Sequence, residues 1–272
     1  YISNLKENNI DIRFLNFLKS DTDNNKKVNF SVCKNINNNC DLSHLTQTDI
    51  RALLEGKLTL QGKDYQFIGD GIQPNSNYSS VILENKSFKN VLFFFNEGIE
   101  YEFNKKNNLF KVFQKTKHGR GFFINGNIEN VKINFIGNSS NFDLAASNRI
   151  DKKNLTGCLT FIKSNFKNVE LESSNSNCED GINLINTSGN INEIVSENSL
   201  YDGLDIDFSS LSIKSIKINN SLNDCLDFSF GNYFVKNLEL NYCGDKGISV
   251  GEKSVANFNI ANISNSNIGI AS

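Results

Sequence analysis

The sequence predicts an all-β fold, a right-handed parallel β-helix with about 22 residues per coil. Three observations carry that expectation. Gly181, Gly203, Cys225, Gly247 and Gly269 recur at a constant spacing of 22 residues. The runs that follow each of them (GINLI, GLDIDF, CLDFSF, GISVGE, GIAS) alternate apolar and polar residues, the period of a strand. Upstream, the chain is a series of short runs rich in Val, Ile and Phe, broken by Asn, Gly and Ser.

The first 56 residues read differently and form a predicted N-terminal cap region. Thr46 or Thr48 can cap the segment IRALLEGK, and Gly56 ends it, so a short capping helix is expected there. Such a helix would cover the unpaired edge and apolar side chains of the first coil. From 57 to 272 the β-helix is expected to run through LTLQ, YQFIG, SVILEN, NVLFFF, IEYEF, LFKVFQ, GFFINGNI and VKINFIG. A polar stretch near 138–155 reads as an inserted loop.

Beyond Gly157 matching positions define columns. Ile182, Leu204, Leu226 and Ile248 form one apolar column, and Leu184, Ile206, Phe228 and Val250 a second. Ile194, Ile216, Leu238 and Ile260 are read as a third, and Ile191, Ile213 and Val235 as a fourth. Asn198 with Asn220, Ser199 with Ser221, and Leu200 with Leu222 extend the pattern. A coil of this length suits three short strands, each paired with its equivalent about 4.8 Å away. It carries no leucine-asparagine signature of a helix-containing repeat.

Composition narrows the function classes. A net charge of -2 offers no basic surface for nucleic acid. No apolar run approaches the roughly 20 residues that span a bilayer, and no signal-peptide pattern opens the chain. Hydrophobic content of 38% with 22 Phe supplies a core. The absence of Met and the coil that opens at Gly269 and stops at Ser272 read as a fragment of a longer chain. Six cysteines point towards an oxidising compartment: secreted, periplasmic or cell-surface. Cys33 and Cys40 bracket a short polar loop. Cys158 with Cys178, and Cys225 with Cys243, are each about one coil apart and are candidates for bridging; buried free thiols are the alternative.

The residues alternating with the buried columns are acidic. Asp205 and Asp227 share one outward column with Asn183 and Ser249. Asp207 shares another with Ser229. Asp180, Asp202 and Asp224 immediately precede the anchors. Stacked carboxylates about 5 Å apart repel by about 1 to 3 kcal/mol at effective dielectrics between water and a protein surface. A cation, a shared proton, a basic neighbour or turn amides must offset that. Asp before Gly is common as a turn residue, whereas mid-strand Asp is disfavoured. Asp205, Asp207, Asp224 and Asp227 are therefore candidate catalytic residues, with Asp202, Lys246, Asn183 and Ser249 as candidate substrate-binding residues. Asp207 and Asp227, diagonal across one coil step at about 8 Å, match the spacing of an inverting glycosidase. Asp202, Asp205, Asp224 and Asp227 also form an oxygen cluster suited to Ca²⁺, although no cofactor is required. Lys246 reads as a binder of a substrate carboxylate, as a lyase base if desolvated, or as a salt-bridge partner of Asp224 or Asp245. His118 lies in the basic run Lys115, Lys117, His118, Arg120, read as a solvated loop, and His44 in a polar loop.

The runs SLYDGLDID, SLNDCLDFSFG and YCGDKGISVGEKS resemble coils of the pectin-lyase-like β-helix superfamily, in particular the polygalacturonase type of glycoside hydrolase. The resemblance covers roughly 157–272. It sets Asp202 and Asp205 against an NTD-type motif, Asn223-Asp224-Cys225 against a DDC-type motif, and Gly244 to Ser249 against a GHGISIGS-type motif. Lys246 stands where that family has histidine, and Gly269 to Ser272 hold no RIK-type basic motif. The resemblance implies a polysaccharide as partner, cleaved by a hydrolase or lyase. A non-catalytic surface or adhesion module, its acidic ladder structural or calcium-stabilised, is the second reading. A phage-fibre-type homotrimer is the third.

Overall fold

The computed structural model describes residues 78–138, 156–251 and 253–272. The predicted N-terminal helix, the Cys33–Cys40 loop, His44 and most of the 138–155 loop lie outside the described residues. The described chain is all-β, a parallel β-solenoid of about six turns.

Its first strands are antiparallel. β1 (Tyr78–Leu83) pairs with β3 (Val91–Asn96), and β3 pairs with β6 (Gly121–Ile124). β2 (Phe88–Lys89) pairs with β7 (Asn127–Glu129), and β4 (Ile99–Asn104) forms a hairpin with β5 (Leu109–Gln114). Parallel stacking starts where β5 meets β8 (Lys132–Ile136).

From there each coil contributes a short and a long strand. The short track runs from β6 through β9 (Gly157–Ile162), β11 (Asp180–Ile185), β13 (Asp202–Asp207) and β15 (Leu226–Ser229) to the end of β16 (Asn232–Val250). The long track runs from β7 and β8 through β10 (Asn165–Ser174), β12 (Ser188–Ser199) and β14 (Ser210–Ser221) to β16 and β17 (Val255–Ala271). The expected three strands per coil survive as a break in the long strand, whose pairing skips Asn192, Lys214 and Lys236.

The columns explain why the fold closes. Ile182, Leu204, Leu226 and Ile248 are in register and fully buried. At the N-terminal end the core is aromatic instead, with Phe93 tilted against Phe123 at 4.6 Å and Phe123 stacked on Phe161 at 4.9 Å. At the anchors Gly181, Gly203 and Gly247 the space admits only glycine, whereas Gly269 in the last coil has nothing within 4 Å of a Cβ. A Cβ on Gly203 would lie 2.6 Å from Ile218 Cγ2 and 2.8 Å from the Cys225 carbonyl. At the corner after the long strand, Asn175, Asn198, Asn220 and Asn265 adopt left-handed backbone, which Asn tolerates. Asn220 Nδ2 donates to Asn198 Oδ1 at 2.8 Å, so the Asn198–Asn220 column is a side-chain ladder.

One predicted column is corrected. Leu238 pairs with Ala261, and Ile260 pairs with Asn237 and is 55% exposed. The turn ahead of Val255 holds one extra residue, which shifts the last long strand by one and turns Ile260 outward. A register shift between Cys243 and Lys246 restores the 22-residue step.

Cys158–Cys178 and Cys225–Cys243 are disulfides, each with Cα atoms 5.3 Å apart. All four residues are at most 3% exposed. Each bond closes most of one coil. Replacing Cys225 and Cys243 together by Ala is expected to lower unfolding stability by about 3 kcal/mol, the chain-entropy value for a loop of this size. Urea unfolding of the double variant measures it, and a midpoint equal to that of the parent would show that the bond constrains nothing.

Candidate functional site

The residues preceding the anchors form an interlocked ladder. Asp202 Oδ1 accepts the Asp224 amide at 2.8 Å and Asn223 Nδ2 at 2.7 Å. Asp224 Oδ1 accepts the Lys246 amide at 3.0 Å, one coil further on. Lys246 Nζ lies 3.0 Å from Asp224 Oδ2 and 3.0 Å from Asp245 Oδ2. Each aspartate thus caps the backbone of the next coil, the role turn residues ordinarily have. Burial pushes the Asp202 carboxyl up to about 7, with the Asp224 and Glu179 charges adding to it; the two hydrogen bonds offset only part. The Lys246 ammonium is held well above the ordinary lysine range, by Asp224 first and then Asp245. It is therefore an ion-paired cation and not a desolvated base.

The mid-strand column is different. Asn183, Asp205, Asp227 and Ser249 stand in consecutive register on β11, β13, β15 and β16. Asn183 is fully buried, and its Nδ2 donates to Asp205 Oδ2 at 2.8 Å, with a longer 3.5 Å approach to Asp207 Oδ2. Asp205, Asp227 and Ser249 are half-buried. Burial raises the Asp227 carboxyl, opposed by a hydrogen bond from Ser249 and supported by the nearby Asp224 charge. Asp227 Oδ1 is buried with no hydrogen-bond partner among the described residues. Both effects favour a carboxyl that keeps its proton. Asp207, 6% exposed, ends β13 one rung from Ser229.

Register makes Asp205 and Asp227 direct neighbours, about 4.8 Å apart by strand spacing. The Asp207–Asp227 diagonal is longer, and Asp207 is the least exposed of the three. All four oxygen donors weighed for Ca²⁺ already bond to protein groups: Asp202 to two amides, Asp205 to Asn183, Asp224 to an amide and Lys246, and Asp227 to Ser249.

In the basic run upstream Lys115 and His118 are exposed, as a solvated loop would have them, and only Arg120 turns inward. Arg120 is 3% exposed, and its Nη1 donates to the carbonyls of Thr156 and Gly157 at 2.8 and 3.1 Å. Lys115 pairs with Glu100. Burial, then Lys117 and Arg120, lowers the His118 imidazole.

A groove on another part of the surface, lined by none of these aspartates, escaped the sequence reading. Where the short strand turns into the long one, Lys163, Asn186, Phe208 and Phe230 occupy successive coils with φ between 50 and 54°. Left-handed backbone suits Asn, but a bulky side chain there costs about 1 to 3 kcal/mol. The Phe208 and Phe230 rings stack at 4.8 Å and 13°, which returns only about 0.5 to 1.5 kcal/mol. These residues, with Thr187 and Asn232, line a groove of about 330 Å³. Its wall is held rigidly, with Thr187 and Ser209 hydroxyls 3.0 Å apart and the Thr187 amide donating to Ser209 Oγ at 2.9 Å. The Tyr233 hydroxyl bonds below to the Ser229 carbonyl at 2.9 Å. Burial raises the Tyr233 phenol, opposed by its hydrogen bond with the Ser209 backbone and supported by the nearby Asp207, Asp205 and Asp227 charges. Two Phe five residues after their anchors, where the neighbouring coil has Asn186, is the signal that could have revealed it.

Two buried disulfides are compatible with an extracellular protein, and among the described residues no helix is long and apolar enough to cross a membrane. Compared with known proteins, the chain matches no family model, no curated protein and no solved structure.

Proposed function

We propose that this chain is an extracellular polysaccharide-active β-helix, a glycoside hydrolase in which Asp227 donates the proton and Asp205 acts as the ionised partner. The observation that carries this reading is the pairing of Asp205 with Asp227 on adjacent rungs, with burial raising the Asp227 carboxyl. Two carboxyls in unequal environments are the arrangement that divides acid from base. A separation of about 5 Å fits a retaining enzyme better than an inverting one. Asn183, donating to Asp205, orients the second carboxylate. Lys246, ion-paired and strongly protonated, argues against the lyase alternative, which needs an unprotonated base.

The ladder formed by Asp202, Asp224 and Lys246 favours a second reading, a non-catalytic glycan-binding module whose carboxylates are structural. Incubation of the protein with soluble neutral and acidic polysaccharides separates the two. Release of reducing ends from at least one polymer, with retention of anomeric configuration followed by NMR, is the expected result. Binding without any product would overturn the hydrolase and leave the module.

A further inference from the structure

We infer that Asn85, Asn219 and Asn262 carry N-linked glycans, attached where the fold leaves the side-chain amide nitrogen free to take them. The inference shares with the proposed function only its extracellular setting and does not depend on the hydrolase. Each residue opens an Asn-x-Ser triplet: Asn85-Lys86-Ser87, Asn219-Asn220-Ser221 and Asn262-Ile263-Ser264. That triplet is the acceptor signal of N-glycosylation when its middle residue is not proline. Such triplets also arise by chance in a chain this rich in Asn, so the triplet alone assigns nothing. The fold separates them.

Glycan transfer replaces one hydrogen on Nδ2 and leaves Oδ1 in place. At Asn85 the oxygen is the atom the fold uses, accepting the Ser87 and Phe88 amides at 2.8 and 3.2 Å. At Asn219 Oδ1 accepts Asn241 Nδ2 at 3.2 Å. In both, Nδ2 donates to no described residue, so a glycan there breaks neither the turn nor the cross-coil bond. Asn219 and Asn262 are exposed, because each neighbours an inward residue on a long strand. Ile218 is 2% exposed, and Ile263 packs against the core. Asn186 opens a fourth triplet, Asn186-Thr187-Ser188, and supplies the contrast. Its Nδ2 is buried, and Thr187 beside it is buried and bonded to Ser209. A glycan on Asn186 would have to open that wall. The two disulfides fit the same history, since both bridges form in an oxidising compartment such as the endoplasmic reticulum lumen, where N-glycans are attached. None of the three open sites lies on the short-strand track that carries Asp205 and Asp227.

Peptide mass spectrometry of the protein isolated from its native source tests the assignment. Peptide-N-glycosidase F in heavy-oxygen water converts each glycan-bearing Asn to labelled Asp, and a parallel digest without the enzyme reports spontaneous deamidation. Enzyme-dependent label is expected at Asn85, Asn219 and Asn262 in most copies, and none at Asn186. Label at none of the three, label that appears equally without the enzyme, or label at Asn186 as strong as at the others overturns the inference. Polysaccharide cleavage should be the same before and after deglycosylation, so the glycan sites and the hydrolase stand or fall separately.

Discussion

Asp227→Asn is expected to lower hydrolysis of a responsive polysaccharide about a thousandfold, the usual contribution of a positioned general acid. The amide is isosteric and can still accept the Ser249 hydroxyl, so folding should be unchanged, but it has no proton to give. The loss should depend on the leaving group. An aryl glycoside with an acidic phenol needs little protonation, and on that substrate Asp227→Asn should retain most of the parent rate. The pH profile of kcat/KM supplies a second readout. Burial raises the Asp227 carboxyl, so the alkaline limb should fall at a pH above the ordinary carboxylate range and disappear in the variant. Asp205→Asn should fail on both substrate types, because activated leaving groups do not replace a missing nucleophile. Equal, modest losses for both substrates in Asp227→Asn would remove the residue from the reaction.

The 22-residue spacing made the solenoid readable because stacked coils force matching positions into contact. Ile182, Leu204, Leu226 and Ile248 share a column since an offset of one residue would reverse every side chain. The reading failed where a coil changes length. The extra turn residue before Val255 moved Ile260 to the surface, and composition alone does not say at which corner an insertion is absorbed. The antiparallel pairing of β1 to β4 was equally hidden, because a short run such as VLFFF suits either direction.

The acidic face divided along a line the repeat could not draw. Asp202, Asp205 and Asp207 alternate along one strand. The first caps an amide of the next coil, the second receives Asn183, and the third is nearly buried. These roles depend on whether the next rung offers an amide, an ammonium or another carboxylate, which is a property of two coils together. The Phe208–Phe230 groove was missed for the opposite reason. Phe after an alternating strand reads as core, and only the left-handed backbone at that corner sends the ring outward.

Stability should fall as pH rises from about 4 to about 7, and Asp202→Asn should remove most of that fall. The Asp202 carboxyl titrates near 3.8 in an unperturbed chain and near 7 in the fold. Between those values the folded protein holds a proton that the unfolded chain releases. The stabilisation is complete below the unfolded value and is lost as pH climbs through the folded one. A shift of about three pH units corresponds to about 4 kcal/mol at its limit. Asp227, also raised, adds in the same sense. The Asn side chain keeps an oxygen for the Asp224 amide and for Asn223, yet carries no charge into a site that already faces Asp224 and Glu179. At pH 4 and below the variant should lie close to the parent, the gap should open steadily through pH 5 and 6, and above pH 7 the variant should be the more stable of the two by up to a few kcal/mol. Urea unfolding of both proteins from pH 4 to 8 reads the difference directly. A parent profile that rises or stays level while the variant runs parallel to it would show that Asp202 is ionised in the fold throughout, its charge carried by the ladder of Asn223, Asp224 and Lys246.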